Sequence, residues 1–241
     1  MRAIIIDDER LARNELKKLL QEFPEVEVIG EAANANEGID KIESLSPDLI
    51  FLDIQMPGKT GFDMLTEIER APHVIFVTAY DEYALKAFEV NALDYLMKPV
   101  EPKRLADALV KVKQKDEEEG FPYSNIRTGL LSEHDQVFVK DGERCWFVKL
   151  SEVRLFESVG NYAKVFFAGH KPLILKSLNS LEERLDDKVF FRANRKHIVN
   201  LRMIDKIEPY FNGGLLLELH GGEKIEVSRR QAVKFKEMMS L

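Results

Sequence analysis

Residues 49–61, LIFLDIQMPGKTG, place an acidic residue directly after a short run of large apolar side chains. Residues 3–8, AIIIDD, repeat this arrangement near the start of the chain. A run of apolar residues without polar alternation is typical of a strand that is covered on both faces. Similar short runs occur at 26–29, 74–77 and 95–97. Together the five runs predict five buried strands in the first hundred residues.

Helical patterns lie between these runs and follow the last one. The apolar residues that recur near one helical face are Leu11, Leu16, Leu19, Leu20 and Phe23 in the first pattern and Leu105, Leu109 and Val112 in the last. Buried strands that alternate with helices form a parallel sheet with helices on both faces. We therefore predict that residues 1–115 form a doubly wound, five-stranded α/β domain.

The segment that follows this domain is charged and then contains glycine and proline. Residues 115–122 read KDEEEGFP, and such a run is typical of a linker. We predict that the last helix ends near Lys115. Residues 116–133 would then connect it to a second domain, residues 134–241.

The second domain is predicted to be mostly β because short strand-like runs follow one another closely. Turns such as Asn212-Gly213-Gly214 separate many of them. The runs are 137–140, 146–150, 153–157, 163–167, 173–175, 197–200, 204–209, 215–219 and 224–227. Two helices are expected, 178–185 after Ser177 and about 229–239 after Ser228, with each serine as the N-cap.

Composition excludes several classes of protein. The chain has 241 residues, of which 45% are hydrophobic and 32% charged, a balance that is typical of globular proteins and not of disordered or collagen-like ones. The single cysteine, Cys145, rules out an intrachain disulfide and favours a reducing compartment. No apolar run reaches the roughly 20 residues of a membrane span or the length of a secretory signal. We therefore expect a cytoplasmic protein without membrane contact.

Charge is distributed unevenly along the chain. The formal net charge is −7, from 35 basic and 42 acidic residues, and an acidic chain by itself argues against nucleic-acid binding. Residues 1–115 account for that charge, with 15 basic and 22 acidic residues. Residues 124–241 have 20 basic and 16 acidic residues, a net charge of +4. Nucleic-acid binding by the second domain therefore stays open.

Polar side chains follow the predicted strands at their carboxyl ends. Asp7 and Asp8 follow the first strand, Asp53 the third and Lys98 the fifth, and Thr78 ends the fourth. A doubly wound sheet binds its ligands at this edge. Clustered carboxylates are costly unless a hard cation such as Mg²⁺ lies among them. The set predicts a Mg²⁺ site and phosphoryl transfer to a carboxylate, with the ammonium and the hydroxyl on phosphoryl oxygens.

Four motifs in this order, IIIDDE, FLDIQMPGKTGFDML, FVTAY and DYLMKP, resemble the receiver domain of bacterial two-component response regulators. The resemblance covers about the first 115 residues. It implies that Asp53 is the phospho-acceptor and that a histidine kinase is the phospho-donor. It also implies that Asp8 binds Mg²⁺ directly, Asp7 mainly through water, and Gln55 through its backbone carbonyl.

Further roles follow from the same resemblance. Thr78 and Lys98 would hold the phosphoryl group, the Lys98–Pro99 peptide would be cis, and Tyr95 would be the switch aromatic that turns inward when Thr78 moves. Gln55 and Tyr80 would flank the site and set how fast water removes the phosphoryl group. A homodimer would form through the family's fourth helix, fifth strand and fifth helix, here about 83–90, 94–96 and 102–113.

Two other interpretations compete for the acidic residues. Taken singly, each is more often a solvated loop residue, but the ordered set at strand ends is not explained in that way. A haloacid-dehalogenase-type phosphatase also uses a strand-end aspartate. That family needs a second aspartate two residues later, where this chain has Gln55. Turnover of small phosphomonoesters would reveal such a metal-dependent phosphatase.

The second domain has basic residues in its predicted loops. The densest groups are 191–197, FRANRKH, and 228–230, SRR. Arginine and asparagine can read guanine and adenine through paired hydrogen bonds, and a helix start can bind phosphate. Composition alone leaves an ordinary solvated surface equally open. The scattered histidines are expected to be structural or surface residues.

The motifs LFESVGNYAKV, FFRANRKHIVNLRMIDKI and VSRRQAVKFKE resemble a LytTR-type DNA-binding domain over about residues 134–241. That family has an elongated β fold that inserts loops into successive major grooves, usually as a dimer on direct repeats. The implied DNA contacts come in three pairs, Asn161 and Tyr162, Arg195 and Lys196, and Arg229 and Arg230. The family commonly has histidine at position 194 and serine at position 196, so Asn194 and Lys196 are departures that bear on base preference.

Together these features predict a phosphorylation-controlled transcription regulator and not an enzyme. A histidine kinase would phosphorylate Asp53, the receiver domains would pair, and the β domains would bind double-stranded promoter DNA at repeated sites. Pairing raises the effective concentration at adjacent half-sites. The alternative from another class is a regulatory module whose β domain binds protein or RNA, and single-stranded competitors would reveal a preference for RNA.

Overall fold

The computed structural model describes residues 1–79, 93–119, 130–142 and 144–239. The chain forms two compact units, the first built mainly from residues before 129 and the second mainly from later ones. The predicted domain boundaries, 1–115, 116–133 and 134–241, stay predictions at their exact positions. Among the described helices, none is long and apolar enough to cross a membrane.

The first unit contains a parallel five-stranded sheet, as predicted. Its strands are β1 (Arg2–Ile6), β2 (Glu27–Ala32), β3 (Leu49–Leu52), β4 (His73–Thr78) and β5 (Asp94–Met97). Their order across the sheet is β2-β1-β3-β4-β5, and all neighbouring pairs are parallel. The described helices are α1 (Arg10–Leu20), α2 (Ala35–Leu45), α3 (Gly61–Glu67) and α4 (Pro102–Glu119).

The central strands are apolar because packed helices shield them from water. All residues of β3 and β4 are buried. On one face, Leu16 and Leu20 of α1 join Leu105 and Leu109 of α4 in a single core cluster with the sheet. Burial of this kind is what continuous apolar runs predict.

Helix α4 is longer than predicted. It continues to Glu119 instead of ending near Lys115. Lysine and glutamate are good helix formers, so the charged run at 115–119 extends the helix before any linker begins.

The order of the strands brings the ends of β1 and β3 together. From β1 the chain first adds β2 on one side of the sheet and then adds β3 on the other side, so the order of strand addition reverses at β1. Ile6 pairs with Leu52, and Asp7 and Asp53 are therefore the next residues on adjacent strands. Strands β4 and β5 end at the same edge. This is the position at which doubly wound sheets bind ligands.

The second part of the chain is mostly β, as predicted. Its strands are β6 (Gln136–Asp141), β7 (Arg144–Lys149), β8 (Leu155–Val159), β9 (Tyr162–Phe166), β10 (Leu173–Ile174), β11 (Phe190–Arg192), β12 (His197–Asn200), β13 (Ile204–Pro209), β14 (Leu215–Leu219) and β15 (Lys224–Val227). A five-stranded antiparallel sheet has the order β10-β9-β8-β12-β11, and a three-stranded sheet has the order β13-β14-β15. The helices are α5 (Leu178–Glu182) and α6 (Arg229–Met239).

Two elements of the second unit differ from prediction. Strand β11 was predicted as loop, because three residues are too few to show a pattern of alternation, and it forms by pairing with β12. Helix α5 ends at Glu182 and not at Leu185, and just beyond it the Arg184 carbonyl accepts a hydrogen bond from the Leu131 N–H at 2.6 Å. The N-cap of α5 is confirmed, since the Ser177 side chain accepts from the Ser180 N–H at 3.1 Å.

Candidate functional sites

The structure brings the predicted acidic residues together at one edge of the parallel sheet. Asp7 and Asp53 are buried, and Asp8 is half-buried. Each of the three carboxylates offers one ligand atom, and these atoms all lie within 4.8 Å of one another. Oxygen donors at this spacing match the ligand preference of Mg²⁺. The residues present therefore fit the predicted metal.

Backbone hydrogen bonds fix the two buried aspartates. The Asp7 N–H donates to the Ala32 carbonyl at 3.0 Å, and the Asp53 N–H donates to the Ile6 carbonyl at 2.8 Å. The ladder pattern of the sheet thus continues into the site. The Gln55 N–H donates to Asp53 Oδ1 at 3.2 Å, which places Gln55 beside the Asp53 carboxylate, while a role for its carbonyl stays a prediction.

Lys98 bridges the two buried carboxylates. Its Nζ lies 2.7 Å from Asp7 Oδ2 and 2.7 Å from Asp53 Oδ2. The Lys98–Pro99 peptide is cis, as predicted, and the Lys98 N–H donates to the Thr78 carbonyl at 2.9 Å. The side chain thus approaches the aspartates from the end of β5.

The pKa values of the bridge reflect burial and pairing. Burial would lower the pKa of Lys98, but hydrogen bonds to Asp53 and Asp7 outweigh it and leave that pKa raised. Burial raises the pKa of Asp7, and the opposing effects of Lys98 and the Glu9 N–H do not cancel it. The lysine is therefore held as a cation, while the charge on Asp7 is disfavoured without a further cation.

Thr78 is a buried hydroxyl beside this bridge. The residue is fully buried, and its Oγ1 has no hydrogen-bond partner among the residues that the structure describes. A buried hydroxyl without a partner is costly. Its free hydrogen-bonding capacity fits the predicted contact with a phosphoryl oxygen.

Arg13 supports the acidic loop and was missed in the sequence. Its Nη1 donates to the Asp7 carbonyl at 2.6 Å and to the Asp8 carbonyl at 3.2 Å. Glu31 lies 3.4 Å from Arg13 Nε and 2.6 Å from Lys17 Nζ. In the sequence, the signal that pointed to this cluster was the four-residue spacing of Arg13 and Lys17, which places both side chains on one face of α1.

The predicted switch and pairing surface is described only in part. Tyr95 is buried, and its hydroxyl lies 3.4 Å from the Met97 sulfur. Beside it, the buried Asp94 binds Arg104 Nη2 at 3.2 Å and Lys111 Nζ at 2.9 Å. Tyr80 and the 83–90 part of the predicted dimer face lie outside the described residues.

The second candidate site is built from loops at one end of the antiparallel sheet. Because β8 and β12 run antiparallel, the turn after β8 and the loop before β12 lie at the same end. The Ser158 N–H donates to the Lys196 carbonyl at 2.8 Å. The predicted contacts Asn161, Tyr162 and Arg195, together with Lys196, are all exposed there.

The third predicted loop joins the second. The Ser228 N–H donates to the Ala193 carbonyl at 3.1 Å, and Asn194 Nδ2 donates to the Glu226 carbonyl at 2.6 Å. Arg229 and Arg230 are exposed at the start of α6. All three predicted pairs therefore lie on neighbouring loops of the second unit.

Two polar residues of the basic segment hold the loop in shape. Arg192 Nε donates to the Asn194 carbonyl at 2.7 Å and Nη2 donates to the Arg195 carbonyl at 2.9 Å. Asn194 Oδ1 accepts from the Lys196 N–H at 2.7 Å. Burial lowers the pKa of His197, and Lys196 and Arg192 lower it further against the attraction of Glu157. Arg195 and Lys196 are thus the outward-facing cations of this group.

A doubly wound domain with an acidic crevice, followed by a β domain with basic loops, is the architecture of a response regulator. Residues 3–110 match the family model described as "Response regulator receiver domain", and residues 143–240 match the one described as "LytTr DNA-binding domain". The chain belongs to the response regulators that combine a receiver domain with a LytTr DNA-binding domain.

Relatives match over nearly the whole chain. An "Uncharacterized response regulatory protein" of Vibrio cholerae is 41% identical over 98% of this chain and 98% of its own length. "Sensory transduction protein LytT" of Enterococcus faecalis and "Transcriptional regulatory protein BtsR" of Escherichia coli K12 are each 34% identical over 100% of both chains. These matches support a response-regulator transcription factor.

Proposed function

We propose that a histidine kinase transfers a phosphoryl group to Asp53 and that this modification controls sequence-specific DNA binding by the second domain. The observation that carries the proposal is the clustering of Asp7, Asp8 and Asp53, with the Lys98 ammonium on two of the three carboxylates. Mg²⁺ bound by the three carboxylates would neutralise charge on the entering phosphoryl group.

In the transfer step, a carboxylate oxygen of Asp53 forms a bond to phosphorus. The bond between phosphorus and the kinase histidine breaks, and its electron pair returns to the imidazole nitrogen, which takes up a proton. The Lys98 ammonium then contacts one phosphoryl oxygen, and the Thr78 hydroxyl donates a hydrogen bond to a second phosphoryl oxygen. Positioning and charge neutralisation provide the catalysis, as in other phosphoryl transfers.

Phosphorylation then acts as a switch. It adds charge and three acceptor oxygens at Asp53, which draws Thr78 inward, and Tyr95 follows into the space beside it. The surface around Asp94–Met97 and α4 would change, and two receivers would pair there as a homodimer. These successive changes bias a two-state element in the way that other charge switches do.

Paired β domains would bind repeated promoter sites. The contacts, to base edges or to phosphates, would come from Asn161, Tyr162, Arg195, Lys196, Arg229 and Arg230. An arginine that reaches a base edge can read guanine through a bidentate hydrogen bond. Linking two domains makes the second binding event intramolecular, so moderate affinity per domain suffices. The net charge of +4 over residues 124–241 is compatible with this role.

Labelling with radioactive acetyl phosphate tests the acceptor. Wild-type protein in Mg²⁺ should take up one phosphoryl group per chain, and Asp53→Asn should take up none, because an amide oxygen is a poor nucleophile and gives no stable acyl phosphate. Asp40→Asn, an exposed aspartate on α2, is the matched control. Equal labelling of the Asp53 variant and the control would refute the assignment.

A further inference from the structure

A fourth loop lies at the end of the second unit that carries the three predicted contact loops. It is the connection between β13, which ends at Pro209, and β14, which begins at Leu215. Leu215 pairs with Val227 at the end of β15. A Cβ on Gly214 would lie 2.9 Å from the Val227 carbonyl oxygen. Only glycine therefore lets the loop approach the strand that leads into α6.

Phe211 projects from this loop and is held in place by it. The residue is 77% exposed, and its ring makes an edge contact with Tyr210 at a centroid distance of 4.8 Å. Asn212 and Gly213 take positive φ values of 55° and 79°, and the Gly214 N–H closes the turn on the Phe211 carbonyl at 3.0 Å. The aromatic ring is thus fixed at the surface by a tight turn.

Phe211 lines a groove of about 860 Å³ together with Arg195, Lys196 and Arg229. Considering only those parts of the chain that are described, the side chains of Arg195 and Arg229 enter no ion pair. Glu226 is the acidic residue among those that line the groove, and its interaction with the Tyr210 hydroxyl raises the pKa of that hydroxyl. The groove therefore combines available cations with one apolar wall.

We propose that this groove holds the sugar–phosphate backbone of bound duplex DNA, with Phe211 packed against deoxyribose and Arg195, Lys196 and Arg229 on the flanking phosphates. A DNA strand alternates apolar sugar faces with charged phosphates, and the groove has the complementary alternation. The contact fixes the register of the duplex without reading bases. This inference rests on the proposed DNA binding. It assigns the predicted contacts Arg195, Lys196 and Arg229 to phosphates, and it adds Phe211 as an apolar anchor that is not among the predicted contact residues.

Hydroxyl-radical footprinting tests the contact because the radical attacks exposed deoxyribose. The probe is a duplex that the full-length wild-type protein has enriched from a random-sequence pool. Phe211→Ala should lose protection at two or three consecutive sugars, keep protection elsewhere, and bind about fivefold more weakly, the effect of roughly 1 kcal/mol of lost apolar contact. Phe211→Tyr should keep both the wild-type protection pattern and the wild-type affinity.

Leu175→Ala is the matched control, because Leu175 is 75% exposed and does not line the groove. It should leave affinity and footprint unchanged. An unchanged footprint and affinity in Phe211→Ala overturns the proposal. So does uniform weakening with lost dimerisation in sedimentation, which would make a second copy the occupant.

Failure of the proposed function gives a different result. If wild-type protein enriches no duplex, DNA binding itself is refuted and the groove proposal falls with it. If wild-type protein enriches a duplex and Phe211→Ala protects the same sugars, only the groove proposal fails. A melting temperature equal to that of wild type confirms that the variant is folded.

Discussion

At the scale of single residues, the acidic site depends on one cation. Lys98 Nζ lies 2.7 Å from oxygens of both Asp7 and Asp53, and Asp8 adds a third carboxylate within reach of the same metal position. Three carboxylates against one ammonium leave an excess of negative charge in a partly buried place, where repulsion is poorly screened. The same excess of negative charge would attract a divalent cation.

Asp7→Asn should therefore raise the melting temperature of the metal-free protein. Burial raises the pKa of Asp7, which means that its charged form is less stable in the folded protein than in water, and the amide removes that charge. Mg²⁺ should raise the melting temperature of wild type by more than that of the variant. Thermal unfolding with and without Mg²⁺ measures both, and a lower melting temperature for the metal-free variant would count against the charge argument.

Asn194 is the residue that ties two contact loops together. Its amide donates to the Glu226 carbonyl and its Oδ1 accepts from the Lys196 N–H. Asn194→Ala removes both hydrogen bonds and should reduce stability by about 2 kcal/mol, at the usual net value of about 1 kcal/mol for each. It should weaken binding to an enriched duplex by a larger free energy. Asn179→Ala, on the exposed face of α5, is the control. Equal losses in the two variants would show that Asn194 has no special role in the loop.

At the scale of secondary-structure elements, α3 lies close to the end of β3 because it begins with glycine. A Cβ on Gly61 would lie 2.5 Å from the backbone oxygen of Asp53, which is too close for any side chain. The helix start is fixed further by the Thr60 and Asp63 capping box. The backbone of Asp53 is thus packed directly against a helix terminus.

Gly61→Ala should destabilise the protein by about 1–3 kcal/mol, because the clash is with backbone and forces a shift of the helix. Gly30→Ala is the control, since its Cβ would meet only side-chain atoms, the nearest at 3.2 Å. Denaturant unfolding of both variants provides the comparison. A Gly61 variant as stable as the Gly30 variant would show that α3 can move away from β3 without cost.

Sequence patterns predicted some elements better than others. The five strands of the parallel sheet and the residues at their ends were readable because buried strands need continuous apolar runs and polar residues mark where they stop. Strand β11 was not readable because three residues are too few to show alternation. The Phe211 groove was not readable because its walls come from segments that are far apart in the chain. Arg13 was missed because its spacing from Lys17 marks only a helix face, whereas its contacts with the Asp7 and Asp8 carbonyls appear only after the chain folds.

At the scale of the whole molecule, charge is divided between two tasks. Residues 1–115 carry the excess of acids and residues 124–241 carry +4, so the net charge of the chain describes neither part. A domain with only mild positive charge gains limited affinity from phosphate contacts alone. In the proposed function, specific contacts and pairing of two domains would supply the rest of the affinity, and pairing would be the step that phosphorylation controls.

Duplex affinity of the full-length protein, measured with and without acetyl phosphate in Mg²⁺, tests the central claim most directly. The probe carries two copies of an enriched site, and Asp53→Asn is measured beside wild type. The account predicts that acetyl phosphate tightens binding of wild type by at least about tenfold, within the usual range of coupling free energies, and leaves Asp53→Asn unchanged. Equal affinity of wild type in both conditions, or equal tightening of the variant, would contradict control of DNA binding through Asp53.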